Sequence, residues 1–210
     1  MDIPRLIRAI LNKPEPQRAP VSVYKEPVPS MDNIRAMIAA LGKGKTDAEQ
    51  CQLWYELDLM AFNELGEVMV STYALTPEQV RTNVLAQYPG LADLKCPDGE
   101  YWCTDLAGLQ KILTRDWTNI VPYVLDKSDC DKFANRLFEH CCRYYAINTV
   151  FPVWGQTTQG YHAFNCAVVW DISGYQAYLI EPQADTIFKT DGPLGHYQPD
   201  TASQQLGNMK

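Results

Sequence analysis

The chain has 210 residues, 46% hydrophobic and 20% charged, so it can bury a sizeable core as one domain or one domain with an extension. Its net charge of -7 and its lack of a basic run argue against a general nucleic-acid-binding protein, because neutralising a phosphate backbone requires clustered Lys and Arg. No apolar run approaches the ~20 residues that cross a bilayer, so we expect neither a nucleic-acid nor a membrane partner.

Residues 1–30 are expected to form a short helix followed by a proline-rich strap. The opening MDIPRLIRAILNK places its apolar residues on one helical face and lacks the pattern of a signal peptide. Five prolines follow within residues 14–29, which is typical of a linker or an extended segment. The seven cysteines are an odd number without a secretory signal, so we expect reduced thiols in a cytoplasm.

Residues 31–95 are expected to be helical and to cover or dock the rest of the protein. One helix should end near Gly42, where glycine is a favoured cap. A second should begin at the capping box of Thr46 and Glu49, and a third at Thr76, where proline follows at once.

Residues 96–190 are expected to form the main domain, and residues 191–210, with Gly192 and Gly195, a loose tail. TDLAGLQKILTRDW and KSDCDKFANRLFEHCC have helical periodicity, whereas NIVPYVL between them should be extended before its proline. HAFNCAVVWD and YQAYLIEPQ are rich in strand-forming residues and are joined by the turn signal ISG. The order predicts an α+β fold.

The cysteine in KSDCDKF raises the central question about function, because it lies in the predicted first turn of a helix. Ser128 is a suitable N-cap, and the unpaired N–H groups and dipole of a first turn favour a thiolate. Cys130 also falls on the apolar stripe of that helix, and Asp129 and Asp131 would raise its pKa. A buried side chain, a metal ligand and a nucleophile therefore remain open until a base is found.

His162 is the candidate base among the three histidines. His140 follows Cys130 on the same helix at about 15 Å, too far to reach the thiol. His196 lies in the glycine-rich tail and is expected to be exposed. His162 enters a predicted strand from a loop, where it can face the start of a helix packed on that sheet.

Strand parity then suggests a residue that orients the histidine. If the hairpin closes through Ser173 and Gly174, paired positions place His162 on the same face as Glu181, Gln183 and Asp185. Glu181 ends an apolar run just before a proline, and a carboxylate there would fix the tautomer of the ring. A thiol, a histidine and a polar orienter in this order are typical of cysteine-dependent acyl transfer.

The blocks SDCDKFA, GYHAFN and LIEPQ resemble the motif blocks of papain-like domains related to the C-terminal protease domain of a mushroom agglutinin, with relatives in phage and prokaryotic proteins. The resemblance covers about residues 100–190. It implies a papain-like α+β fold, with a helical N-terminal half and a nucleophile-bearing helix packed on a small antiparallel sheet. It places Cys130 at the nucleophile, His162 at the base and Glu181 at the third member of a catalytic triad.

The resemblance further implies a hydrolase of peptide bonds with a peptide or protein substrate. Gln156 is a candidate oxyanion donor. The sequence requires no cofactor and assigns no metal ligand, although the agglutinin implies calcium or manganese. Residues 1–95 could dock the domain to a larger assembly, and a phage origin would place the protein in the host cytoplasm or the virion.

Three alternatives remain open. A cell-wall amidase or endopeptidase would use the same thiol and histidine on a different substrate. A phage or cellular structural protein could retain the fold without catalysis. A structural zinc site would draw on the remaining ligands, but their spacing is unlike that of known zinc motifs: Cys96, Cys103, His140, Cys141 and Cys142.

Overall fold

The computed structural model divides the chain into two compact units, residues 1–67 with 120–122 and residues 68–119 with 123–210. The structure describes residues 40–41, 43–46, 49, 52–53, 56, 69–116, 118–120, 123 and 129–202. The predicted N-terminal helix and strap of residues 1–30 lie outside this described part. Within it, no helix is long and apolar enough to span a membrane.

In the first unit, the predicted capping box at Thr46 is confirmed. The Glu49 carboxylate accepts the backbone N–H of Thr46 at 2.7 Å, and the Thr46 hydroxyl accepts the N–H of Glu49 at 3.4 Å. The described residues of this unit that are helical are 40–41, 49, 52–53 and 56.

The second unit contains three helices and eight strands among its described residues. The helices are α1 (Pro77–Gln87), α2 (Leu106–Leu113) and α3 (Cys130–Tyr145). The strands are β1 (Tyr73–Leu75), β2 (Tyr101–Cys103), β3 (Val150–Thr157), β4 (Gly160–Asp171), β5 (Gly174–Glu181), β6 (Thr186–Phe188), β7 (Asp191–Gly192) and β8 (Gly195–Ala202).

Six of these strands form one antiparallel sheet in the order β6-β5-β4-β3-β8-β7, and β1 pairs separately with β2. The two end strands, β6 and β7, are separated in the chain only by Lys189 and Thr190. The sheet must therefore curl until its ends are close together. The end strands are short, with three residues in β6 and two in β7, which limits the length of strand edge at each end.

The two faces of the sheet pack against different parts of the chain. One face contributes Phe164, Leu179 and Tyr197 to a core shared with α1 and with the segment that leads into β2. On the opposite face, the buried Asn165 amide donates to the carbonyl of Ala134 on α3 at 2.8 Å. This bond fixes α3 on β4, because a buried amide without a partner is costly.

The predicted papain-like α+β fold with a small antiparallel sheet was wrong. The described part of the second unit is mostly β, built on a nearly closed six-stranded sheet with three helices. Much of the loop expected before His162 is instead strand, since β3 extends to Thr157. Residues 191–202, expected to be a loose tail, form β7 and β8, and β8 pairs with β3 some forty positions earlier in the chain. Glycine and proline content does not reveal such a distant partner.

The predicted boundary at residues 95/96 also differs from the structure. The capping box at Thr76 is confirmed, since its hydroxyl accepts the N–H of Gln79 while the Gln79 side chain accepts the N–H of Thr76. The helix that it begins, however, packs its buried Val80 and Val84 into the core of the second unit. This unit therefore begins near Val68.

Candidate functional site

Helix α3 begins at Cys130, so this thiol occupies the first helical position. The N-cap is Asp129, without a side-chain capping bond, and Ser128, the predicted cap, lies outside the described residues. Lys132 Nζ lies 2.8 Å from Asp131 and 3.4 Å from Asp129, which offsets part of the negative charge beside the thiol. The charge repulsion expected from the two aspartates is therefore weakened.

Hydrogen bonding to His162 lowers the pKa of the Cys130 thiol. Burial and the charge of Asp129 act in the opposite direction, whereas the Ala163 backbone and the charge of His162 add to the lowering. Burial instead raises the pKa of the other five described cysteines, Cys96, Cys103, Cys141, Cys142 and Cys166. Among the described thiols, Cys130 is therefore the best nucleophile at neutral pH.

His162 is the third residue of β4 and connects the thiol to a carboxylate. Its Nε2 lies 2.8 Å from Glu181 Oε2, which leaves Nδ1 as the nitrogen available to the thiol. Burial lowers the pKa of His162, but hydrogen bonds to Cys130 and Glu181, together with their charges, outweigh burial and raise it to about 9. The arrangement thus favours a thiolate beside an imidazolium.

Glu181 is 2% exposed at the end of β5, and its carboxylate has three polar partners. Oε2 faces both His162 and the hydroxyl of Tyr197, which donates at 3.0 Å. Oε1 accepts the backbone N–H of Gln183 at 3.2 Å. These partners engage both oxygens of the buried carboxylate, so it can hold the imidazole in one orientation.

In the β4–β5 hairpin, His162 and Glu181 lie on the same face of the sheet, as predicted, but the two strands pair in a different register. Asp171 pairs with Gly174 and Trp170 with Tyr175, so the two-residue loop is Ile172–Ser173 rather than Ser173–Gly174. Every pair moves by two positions, and an even shift leaves each side chain on its predicted face. The parity argument therefore held although the exact pairs were wrong.

Gln156 is exposed on β3 and pairs with Tyr161, whereas its neighbour Gly155 pairs with His162. Its side chain therefore shares the sheet face of Ala163, whose backbone contacts Cys130, and its amide donates to the Thr157 carbonyl at 3.3 Å. The oxyanion role of Gln156 therefore stays a prediction.

The other two histidines lie apart from this site. His140 is 5% exposed on α3, with ring contacts to Tyr144 and Tyr145. His196 is exposed, with Nδ1 3.1 Å from Asp191.

The described residues do not fit the calcium or manganese implied by the resemblance. They contain no group of three or more His, Cys, Asp or Glu side chains that could hold a metal ion. The buried Asp116 and the partly buried Asp185 lie close enough for the charge of Asp116 to raise the pKa of Asp185, after the larger effect of burial, to about 8. Two carboxylates alone do not match the six to eight oxygen ligands of calcium.

Tyr197 is the site residue that the sequence interpretation missed. It lies on β8, is 2% exposed, and its ring meets that of His162 at 6.4 Å and an interplanar angle of 72°. The sequence signal that could have identified this strand is the alternation of Tyr197 and Pro199 with polar neighbours in GHYQPDTA, although a proline argues against a central strand.

No family model and no curated protein matches this chain. Solved structures that share its fold include the two that follow. The first, described as Polyporus squamosus lectin bound to the human-type influenza-binding epitope Neu5Aca2-6Galb1-4GlcNAc, is 20% identical with a TM-score of 0.50, over 61% of this chain and 49% of the lectin. The second, described as a PSL1a-E64 complex, is 20% identical with a TM-score of 0.51, over 61% of this chain and 50% of PSL1a.

These comparisons support the resemblance to a mushroom agglutinin at the level of fold and no further. The assignment to a papain-like cysteine protease with a catalytic triad was wrong as a family description, because the similar structure whose description states a function is a lectin with a bound glycan. The chain spans about half the length of either protein, so the activity of the whole lectin does not transfer to it. The geometry around Cys130 is independent of that family name.

Proposed function

We propose that the protein is a cysteine-dependent hydrolase of amide bonds, with Cys130 as nucleophile, His162 as base and then acid, and Glu181 as the group that orients His162. The observation that carries this proposal is the hydrogen bond of Cys130 to His162, whose Nε2 lies 2.8 Å from Oε2 of Glu181. The same bond to His162 lowers the pKa of the thiol. Nucleophilic thiols need a low pKa and a neighbouring base with its own orienting partner.

In the first half-reaction, the Cys130 thiolate attacks the carbonyl carbon of the amide and a C–S bond forms. The C–N bond then breaks, and the leaving nitrogen takes the proton carried by His162. In the second half-reaction, water adds to the thioester while His162 accepts its proton. The C–S bond breaks, releasing the carboxylic acid and returning Cys130 as a thiolate beside a protonated His162.

The developing oxyanion needs donors that are already in place. The backbone N–H of Cys130, at the first position of α3, is one candidate because first-turn N–H groups have no partner within the helix. The Gln156 amide is the second candidate. Its role requires the side chain to leave the Thr157 carbonyl and turn toward the substrate.

We propose a peptide or protein as the substrate, since an amide between amino acids offers the required carbonyl. Residues 1–67, the part of the predicted docking segment that lies in the first unit, would dock the protein on a larger assembly. The reduced thiol that the reaction requires suits a cytoplasmic location. Cell-wall peptides remain the alternative substrate class, and a structural protein without turnover is the alternative from another class.

The test uses a peptide electrophile that reacts with thiolates, followed by mapping of the adduct by mass spectrometry. We expect the adduct on Cys130 at neutral pH and its loss in Cys130→Ala. Cys142→Ala is the matched control, because Cys142 lies on the same helix and burial raises its pKa to about 12. Labelling confined to Cys51 or Cys96 would overturn the proposal.

Turnover assays then distinguish the substrate classes. Release of amines from protein substrates by the wild type, but not by Cys130→Ala, supports the hydrolase. Release from peptidoglycan fragments alone identifies an amidase. Failure to cleave either class despite specific capture of a partner would favour the structural protein.

A further inference from the structure

We propose that Tyr197 is a positioning residue for this reaction: its hydroxyl holds Oε2 of Glu181 in the place from which that oxygen faces Nε2 of His162. The inference rests on the proposed function, since it concerns how the same site is arranged. Tyr197 belongs to the part of the chain that was expected to be loose, and no role for it follows from the motif blocks of the sequence.

The first support is the geometry at Oε2. Tyr197 donates to this oxygen at 3.0 Å, and Nε2 of His162 lies 2.8 Å from the same atom. The two groups converge from β8 and β4, with strand β3 between them in the sheet. Oε2 of Glu181 is therefore bonded to both the Tyr197 hydroxyl and the His162 ring. Removal of the hydroxyl would let the carboxylate rotate away from the imidazole.

The second support is that Tyr197 is itself held firmly. Its backbone N–H donates to the Thr190 carbonyl at 2.8 Å, and its hydroxyl accepts the N–H of Leu194 at 3.3 Å. Its ring packs edge-on against Phe164 at 5.0 Å and at a tilt against Phe188 at 4.6 Å. A donor fixed in this way loses little entropy when it binds the carboxylate.

The third support is the charge state of the hydroxyl. Burial, followed by the charge of Glu181, raises the pKa of Tyr197 well above its usual range. The hydroxyl therefore stays protonated, and donates its hydrogen to the carboxylate, over the whole pH range in which proteins are usually studied.

The test compares Tyr197→Phe with Tyr88→Phe. Tyr88 is also buried, and its hydroxyl donates to the Lys189 carbonyl at 2.9 Å. Tyr88→Phe therefore also removes a hydroxyl bond, but one that lies outside the site. The readout is the rate of iodoacetamide alkylation of Cys130 against pH, with the adduct mapped by mass spectrometry, and so needs no substrate. The titratable and charged groups that face Cys130 and Glu181 are His162, Asp129 and Tyr197.

In Tyr197→Phe, we expect the acid limb of the alkylation profile to move to higher pH by about one unit, because a carboxylate that turns away from Nε2 stabilises the His162 imidazolium less, and the thiolate beside it is then less favoured. Turnover, where measured, should fall about 10-fold in kcat with less change in KM. Tyr88→Phe should leave the limb in place. Equal shifts in the two variants, or none in either, would overturn the inference.

A site-specific fluorotyrosine at position 197 covers the case in which Tyr197→Phe does not fold. Its more acidic hydroxyl is a stronger donor of nearly the same shape, so the acid limb should move to lower pH. An unchanged limb would contradict the inference. Failure of the proposed function looks different, because Cys130 of the wild type would then be alkylated with the pH profile of an ordinary thiol.

Discussion

Nε2 of His162 and Oε2 of Glu181 lie 2.8 Å apart, although the two residues are 19 positions apart in the chain. Strands β4 and β5 bring them together, and both side chains are nearly buried, at 11% and 3% exposed. Ion pairs on the surface contribute little, but a pair shielded from water has a strong effect on the proton affinity of the imidazole.

Replacing the carboxylate should therefore lower the pKa of His162. In Glu181→Gln, the opposite charge is lost while the size is kept, and we expect a decrease of one to three pH units, about the usual effect of a close charge. The measurement is an NMR titration of the His162 imidazole. Glu139→Gln is the control, because Glu139 is an exposed carboxylate on α3 that pairs with Arg143. An unchanged His162 titration in Glu181→Gln would contradict the interpretation.

Replacing the histidine should return the thiol to ordinary reactivity. The hydrogen bond to His162 is the largest cause of the lowered Cys130 pKa, so His162→Gln leaves burial and Asp129 to raise it. We expect alkylation of Cys130 at neutral pH to slow by about 10-fold or more. His196→Gln, which removes an exposed histidine, should react like the wild type. Equal rates of Cys130 alkylation in both variants would show that His162 does not lower the pKa of the thiol.

The pH dependence of turnover should be bell-shaped. Below the lowered pKa of Cys130, the thiol is protonated and cannot attack, so activity rises with pH on the acid side. Above the His162 pKa of about 9, the imidazolium loses the proton that the leaving amine needs, so activity falls. The two groups interact, and the limbs report the pair rather than either residue alone. Activity that keeps rising beyond pH 10 would be inconsistent with His162 as the acid.

Asn165 should contribute to stability by fastening α3 to the sheet. Its fully buried amide donates to the Ala134 carbonyl at 2.8 Å, so Asn165→Ala should lower the free energy of unfolding by about 1–3 kcal/mol, measured by urea denaturation. Asn83→Ala is the control, because the Asn83 amide bonds only within its own helix, to the Gln79 carbonyl. A loss no larger than that of the control would mean that the bond to α3 contributes little.

Removing the last two strands should unfold the second unit. A chain ending at Thr190 lacks β7 and β8, and with them the buried Tyr197 and Ala202 that complete the core. We expect loss of the cooperative thermal transition followed by circular dichroism. A chain ending at Ala202 keeps both strands and should retain the transition. Equal stability of the two chains would show that β8 is dispensable.

The candidate site was more predictable than the sheet that holds it. Cys130, His162 and Glu181 carry local signals: a helix start, entry into a strand from a loop, and a carboxylate before a proline. The alternation of side chains along the hairpin then predicted correctly that His162 and Glu181 lie on one face, because a register shift of two positions does not change the face. The likeness to a mushroom agglutinin inferred from the same blocks was confirmed at the level of fold. The papain-like fold inferred with it was wrong, since short motifs do not specify the strands around them.

By itself, the sequence determined the helix starts at Thr46 and Thr76 and the helix that carries Cys130 in its first turn. It also determined that His162 and Glu181 lie on one face of the sheet. Each depends on neighbours in the chain or on the period of a strand. Only the tertiary structure decided that β8 pairs with β3, and hence that Tyr197 reaches Glu181. Pairing between distant strands depends on which surfaces bury each other, and residues far apart in the sequence supply those surfaces together.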